Sequence, residues 1–270
     1  MLSDYHIHSH FSSDSEEKLE NIANTALSLG MSSICLTDHM DYDYPISPDE
    51  PDMTFFLDIP EYAKALGALR MQYAGRLDIR TGIELGIQPH IADENYKISK
   101  SHPFDFIIAS THIVGKKEPF YPSFWDGQNI DDCLAEYFSD MLYSLKKFDN
   151  YDVCGHLDYI IRYIPDKSFA FSYKDYSDII DEILYEIISK GKGIEINTAG
   201  YRYSLNSPNP CTDIIKRYKE LGGKIITVGS DAHFAKDVGS GFDKARNVLL
   251  ACGFDSYYTF KERTPYRHSL

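Results

Sequence analysis

Six of the ten histidines fall, together with four acids, at the ends of short apolar runs. His6-Ile7-His8 closes the first run, Asp38-His39 the second, Glu84 the third, His112 the fourth, His156-Leu157-Asp158 the fifth and Asp231-Ala232-His233 the last. Alternate residues of a strand share a face, so His6 and His8 can address one ion. One such pair has ordinary structural explanations, but recurrence at nearly every run points to donors collected from the whole chain. Imidazole and carboxylate donors without cysteine suit Zn, Mn or Fe rather than a structural thiolate site. Eight or nine converging donors exceed the needs of one ion, so two or three divalent ions are expected, with a carboxylate such as Glu84 as the bridge.

The runs that must position these donors read as strands at Leu2–Ile7, Ser33–Thr37, Asp78–Glu84, Phe104–Ser110, Asp152–Gly155, Gly193–Asn197 and Lys224–Gly229. Helical patterns lie between them at Glu16–Leu29, Pro60–Tyr73, Asp131–Phe148, Lys174–Lys190 and Thr212–Leu221, with Ser15 placed to cap the first and Gly30 to follow it. Ser33-Ile34-Cys35-Leu36-Thr37 and Lys224-Ile225-Ile226-Thr227-Val228 are nearly continuous apolar runs, as expected of parallel strands covered on both faces. Seven β/α units predict an α/β fold of the (β/α)7-barrel type, with an open doubly wound sheet as the alternative. Ala245–Cys252 extends this as a helix and Ser256–Phe260 as a further strand. Two irregular segments, Met40–Asp58 and Gly115–Asn129, follow strand C-termini, on the face where barrel active sites sit. Aromatics in Phe120–Trp125 are expected to wall that face against water.

Composition narrows the function classes. A chain of 270 residues with 43% hydrophobic content fits one barrel domain over 1–270. No run approaches the roughly 20 apolar residues of a membrane span, and the first residues lack the basic and apolar regions of a secretory signal. Cys35, Cys133, Cys154, Cys211 and Cys252 are scattered and odd in number, which reads as reduced thiols in a cytoplasmic protein. A net charge of −14 without a basic run argues against a nucleic-acid partner. It leaves room for a small phosphorylated substrate, because bound cations reverse the local potential. Oligomeric state is open.

The ordered set Asp4-Tyr5-His6-Ile7-His8-Ser9, Thr37-Asp38-His39, Gly82-Ile83-Glu84, Ser110-Thr111-His112, Gly155-His156-Leu157-Asp158 and Gly229-Ser230-Asp231-Ala232-His233 resembles the PHP (polymerase and histidinol phosphatase) superfamily. Chain length, with Glu195-Ile196-Asn197-Thr198 and Arg202, is similar to its monofunctional histidinol-phosphate phosphatases. The resemblance implies a distorted PHP-type (β/α)7 barrel and a trinuclear site. His6, His8, Glu84 and Asp231 would hold one ion. Glu84 would bridge to a second, shared with His112 and His156, and Asp14, His39 and His233 would hold the third. Many PHP proteins carry histidine where this chain has Asp14, which is otherwise read as a helix-capping acid.

Three divalent ions, offset by Asp14, Glu84, Asp231 and one hydroxide, would leave a dipositive site that complements a phosphate monoester dianion. The expected reaction is hydrolysis of L-histidinol phosphate by a metal-bridging hydroxide. Glu84 and Asp231 are the catalytic carboxylates on this reading. Asp158 or a metal-bound water would protonate the leaving oxygen, although Asp158 also reads as a structural rim acid. Arg162 and Arg202 follow strand ends and can fork onto phosphate or lie on the surface; Lys116 is a further cationic candidate. The acids Asp41, Asp43, Asp49, Glu50 and Asp52 can receive the cationic end of the substrate or be solvated loop acids. His10, His90, His102 and His268 match no motif. The competing functions are a PHP phosphoesterase of other specificity, for phosphotyrosine or nucleotides, and a non-catalytic metal-binding module.

Overall fold

The computed structural model describes residues 3–46 and 53–270. Strands β1 (Ser33–Leu36), β2 (His39–Met40), β3 (Asp78–Gly86), β4 (Phe106–Ser110), β5 (Val153–Cys154), β6 (Gly193–Asn197) and β7 (Ile226–Gly229) form one parallel sheet. Its order is β1-β3-β4-β5-β6-β7, with β2 continuing the β1 side against β3. Residues 4–8 close it. On one side Tyr5 N–H donates to Val228 O (3.0 Å), Asp231 N–H to His6 O (2.8 Å) and His8 N–H to Ala232 O (2.9 Å). On the other, Cys35 N–H donates to Asp4 O and Thr37 N–H to Ile7 O. Seven staves therefore surround one interior, and the open doubly wound alternative does not survive this closure.

Helices α1 (Leu19–Ser28), α2 (Ile59–Gln72), α3 (Ala92–Lys100), α4 (Ile130–Lys147), α5 (Ser177–Ser189), α6 (Ala199–Arg202), α7 (Thr212–Glu220) and α8 (Phe242–Ala251) supply the outer layer and the rim. Local chemistry fixes their starts. The Asn129 side chain accepts from Asp131 N–H and Asp132 N–H at α4, and Asp58 accepts from Glu61 N–H at α2, where Pro60 occupies the first turn. Leu134, Phe138, Met141 and Leu145 lie on one face of α4 and are buried against the barrel. Ser15 caps no helix: α1 begins at Leu19, and Ser15 Oγ instead donates to His233 O at 2.8 Å. The residues before α1 are drawn into the rim, which outweighs their value as a cap.

Besides the short β2 and α6, two elements were not foreseen. The first, α3, buries only Asn95 and Ser99, so its sequence carries no apolar stripe. The second is a strand paired antiparallel to β8 (Ser256–Lys261), namely β9 (Thr264–Ser269), all six of whose residues are exposed. This hairpin covers the N-terminal mouth of the barrel, where Tyr5 Oη donates to Phe260 O (2.9 Å) and Arg263 Nε to Asp152 (2.6 Å). Among the described residues no helix is long and apolar enough to cross a membrane.

The main core lies between strands and helices. A smaller one, formed by Tyr5, Cys35, Phe106, Ile108, Val153 and Phe260, is separate. Phe106 and Ile108 share a face of β4 with Ser110, whose hydroxyl donates to Glu84 at 2.6 Å. The small core is thus the floor on which the strand-end donors stand. Phe106→Ala is expected to cost about 3–5 kcal/mol in urea denaturation. Phe120→Ala, at an exposed rim position, should stay within about 0.5 kcal/mol.

Candidate metal centre

The strand ends meet at Glu84, which has no solvent exposure. Its two oxygens face different histidines. Oε1 lies 2.9 Å from His156 Nε2 and 3.3 Å from His112 Nε2. Oε2 lies 3.3 Å from His6 Nε2, 3.5 Å from His8 Nε2 and 2.9 Å from His39 Nδ1. Asp231 Oδ1 joins the second side, 3.4 Å from His8 Nε2 and 3.8 Å from His6 Nε2. A third set surrounds Asp14 Oδ2, with His233 Nε2 at 3.0 Å and His39 Nε2 at 3.6 Å. Asp14 caps no helix and faces these rings.

This donor set fits divalent cations. Groups such as His6–His8–Asp231, His6–Glu84–His156, His39–Glu84–His112 and His8–His39–His233 bring three donor atoms within 4.8 Å of one another. Buried polar atoms normally find hydrogen bonds, yet His6 Nε2, His8 Nε2, His39 Nδ1 and Glu84 Oε2 have no partner. Four such atoms facing one another are what a cation site requires. Electrostatics agree: burial raises the Glu84 carboxyl, but His6, His39 and His112 outweigh it and hold it well below the usual carboxylate range. Burial, with His233 and His39 alongside, pushes His8 well below the ordinary imidazole value.

Further residues hold the donors in place. Asp41 Oδ1 lies 2.9 Å from His112 Nδ1, an approach allowed because a Cβ at Gly86 would collide with the Asp41 carboxylate. Asp38 accepts from Ser9 N–H (2.7 Å) and Ser12 Oγ (2.8 Å), and Ser12 Oγ lies 3.1 Å from His8 Nδ1. Glu195 Oε1 lies 2.7 Å from His6 Nδ1. Glu195 and Asn197 were quoted above only as a family signature. Their two-residue spacing on a strand is the signal that places both on the barrel interior.

A cavity opens above Asp14, His39, His112, His156, Asp231 and His233, while His6, His8 and Glu84 lie beneath it. Of the sequence candidates for substrate, Arg162 lines this cavity. It is buried rather than a surface side chain, donating from Nε to Asn209 (2.9 Å), from NH1 to Asp231 (3.2 Å) and from NH2 to Asn197 (3.2 Å). Guanidinium has five N–H groups, so two stay free. Arg202 sits behind the cavity lining, with NH2 donating to Asp231 O (2.8 Å) and a buried NH1 that has no hydrogen-bond partner. Lys116 is exposed, in a left-handed turn, and outside the lining.

Asp158 is also outside it. Its carboxylate accepts from Asn209 Nδ2 (2.5 Å) and Cys211 N–H (2.7 Å), and burial pushes it up to about 6 against those hydrogen bonds. It ties the rim loops together under the surface. The cavity wall consists of Tyr44, Phe55, Tyr159, Tyr163, Tyr203 and Phe234 rather than the 120–125 segment. Phe124 and Trp125 are buried in the core instead. Among the loop acids, Asp41 reaches the cavity, Asp43 pairs with His90 outside it, and Asp49, Glu50 and Asp52 lie outside the described residues. Sequence reading missed Glu118, which lines the cavity beside Tyr44, its hydroxyl partner, and whose carboxyl is raised by burial. A lone acid in an irregular loop carries no periodic signal.

The PHP domain family matches residues 4–199. The histidinol-phosphatase of Lactococcus lactis is 35% identical over 258 residues, covering 95% of this chain and 93% of the relative. A probable histidinol-phosphatase of Clostridium acetobutylicum is 29% identical, covering 98% and 100%. The crystal structure of histidinol phosphate phosphatase from Lactococcus lactis, complexed with zinc, L-histidinol and phosphate, matches with a TM-score of 0.90 at 34% identity over 98% of each chain. With a family match over most of its length and a relative above 30% identity across nearly all of it, the chain belongs to the PHP-domain histidinol-phosphatase family.

Proposed function

We propose that the chain is a metal-dependent phosphomonoesterase that hydrolyses L-histidinol phosphate to L-histidinol and phosphate. The observation that carries this reading is the division of Glu84: one oxygen to His112 and His156, the other to His6 and His8, beneath a cavity that also exposes Asp14, His39 and His233. His6, His8, Asp14, His39, Glu84, His112, His156, Asp231 and His233 would hold two or three ions, of Zn, Mn or Fe. Ions held there lower the pKa of water to about 7 and neutralise charge on phosphate oxygens. The relative crystallised with zinc, L-histidinol and phosphate supports both the ions and the ester.

The remaining work belongs to the chain's own side chains. Arg162, which lines the cavity, would orient the outer phosphate oxygens, while Arg202 would act from behind by holding the Asp231 carbonyl. Lys116 stands too far out on the rim to be assigned more than steering. Glu118 and the tyrosine wall would take the cationic and aromatic end of the ester, and the wall would keep bulk water from the reacting phosphate. With Asp158 held beneath the surface, protonation of the leaving oxygen falls to water in the cavity. One domain over 1–270 fits a hairpin pinned by Arg263 to Asp152, and five free cysteines support a reducing, cytoplasmic setting.

Chelation should abolish activity, and Zn, Mn or Fe should restore it, with two or three ions per chain by elemental analysis. Glu84→Gln should lower that number and cut kcat more than about 100-fold. Turnover after exhaustive chelation would overturn the metal assignment. In a phosphate-release panel, a phosphotyrosine peptide or nucleotide hydrolysed with higher kcat/KM than histidinol phosphate would overturn the substrate assignment.

Arg162→Ala should depress kcat/KM about 100-fold for every ester while metal content stays normal, and wild-type kinetics would remove it from the site. Glu118→Gln should raise KM for histidinol phosphate by about 10-fold to 100-fold and leave that for p-nitrophenyl phosphate unchanged. An equal effect on both esters would assign Glu118 to the architecture of the loop.

A further inference from the structure

Strand β6 carries none of the candidate ligands, yet Glu195 and Asn197 lie directly behind them. Glu195 is 1% exposed and accepts with both oxygens. Oε1 lies 2.7 Å from His6 Nδ1, while Oε2 takes the His156 backbone N–H (3.1 Å) and Asn197 Nδ2 (3.2 Å). The neighbouring strand is shaped for this contact, since a Cβ at Gly229 would collide with Glu195 Oε1 and His6 Cβ. The other ring nitrogen of His6 faces Glu84 Oε2 and Asp231 Oδ1 and has no hydrogen-bond partner.

We propose that Glu195 is a positioning residue that holds His6 in the Nδ1–H tautomer, so that the Nε2 lone pair is presented to the ion shared with His8 and Asp231. The hydrogen bond at one imidazole nitrogen decides whether the other carries a proton. A carboxylate behind a ligating histidine also strengthens it as a donor. The proposal rests on the metal-site reading above and adds the strand that otherwise has no part in it.

Shape alone cannot replace this carboxylate. In Glu195→Gln, an amide oxygen turned toward His6 sets the NH2 against the His156 N–H and the Asn197 amide. Turned the other way, the NH2 donates to Nδ1 and forces a proton onto Nε2, where the ion must bind. Asp4 supplies the comparison: it is equally buried, lies two residues before His6, and accepts from the backbone of His6 (3.3 Å), Ser230 (2.9 Å) and Gly239 (2.9 Å) without touching an imidazole.

The test is Zn²⁺ and Mn²⁺ titration of the chelator-stripped full chain, with stoichiometry from elemental analysis and affinity from competition with a chromophoric chelator. Glu195→Gln should weaken one ion per chain by about 10-fold to 100-fold, leave the others unchanged and retain the far-ultraviolet circular dichroism. Asp4→Asn should lose thermal stability but keep every ion at wild-type affinity. Unchanged affinities in Glu195→Gln overturn the proposal. So does a loss shared equally with Asp4→Asn, or a loss of all ions together with the fold. Imidazole ¹⁵N NMR of the zinc-loaded wild-type chain, with His6 assigned by comparison with His6→Gln, decides independently of any change in folding. An Nδ1–H signal for His6 supports the proposal and an Nε2–H signal overturns it. A wild-type chain that binds no divalent ion overturns the metal-site reading and this inference together, whereas ion binding with an unaltered Glu195→Gln overturns this inference alone.

Discussion

A carboxylate without solvent sits at the convergence of seven strands, and the rest of the molecule is arranged around that fact. Burying Glu84 as an anion is expensive unless positive charge and hydrogen bonds surround it. Five imidazoles and the Ser110 hydroxyl do so here, from four strand ends. Those imidazoles are themselves buried, so they need anions or cations of their own. Asp231, Asp14 and Asp41 meet part of that need on the open side, Glu195 on the closed side. A parallel barrel suits the problem because its strands end on one rim, and the small apolar core beneath supports them.

Much of this arrangement was legible in the sequence because two regularities carried it. Strand alternation placed His6 with His8, and parallel topology placed all C-terminal ends on one rim. Neither depends on which side chains meet across the interior. What escaped depended on such meetings, between residues 35 to 189 positions apart. Glu195 reads as a charged residue in an otherwise apolar strand until His6, 189 positions away, is set against it. Arg162 reads as a rim arginine until Asn197, Asn209 and Asp231 are seen to occupy three of its donors. Asp158 reads equally as a leaving-group acid or a structural rim acid until a turn of the chain after β5 is seen to aim its carboxylate at Asn209 and Cys211.

The same reasoning explains errors in the frame. Residues 9–17 resemble the approach to a helix, yet Ser9, Ser12 and Ser15 spend their hydroxyls on Asp38 and on the His233 carbonyl. Long-range hydrogen bonds at the rim outcompete a local cap whose worth is about 1 kcal/mol. The exposed second strand of the hairpin is held by register with its partner and by Arg263, so it needs no buried face of its own. Sequence patterns report burial, and both exceptions are built from polar contacts.

Charge ties the centre to its proposed task. The chain is strongly acidic, a poor host for a phosphate dianion in isolation. Around the cavity, however, Arg162 is the cation lining it, and it is locked against Asp231 rather than free to pair elsewhere. Glu118 and Asp41 occupy the same lining, with Asp41 already committed to His112 and Glu118 hydrogen-bonded to Tyr44. The cavity therefore joins a floor that becomes positive when loaded with ions to a wall that keeps an acid and several tyrosine rings. An ester with a phosphate at one end and a cationic, flat group at the other satisfies both halves at once. A simple alkyl phosphate satisfies the floor and leaves the half-buried Glu118 carboxyl without a counter-charge. Selectivity on this reading lies in the cost of that unmatched acid as much as in any contact the favoured ester makes.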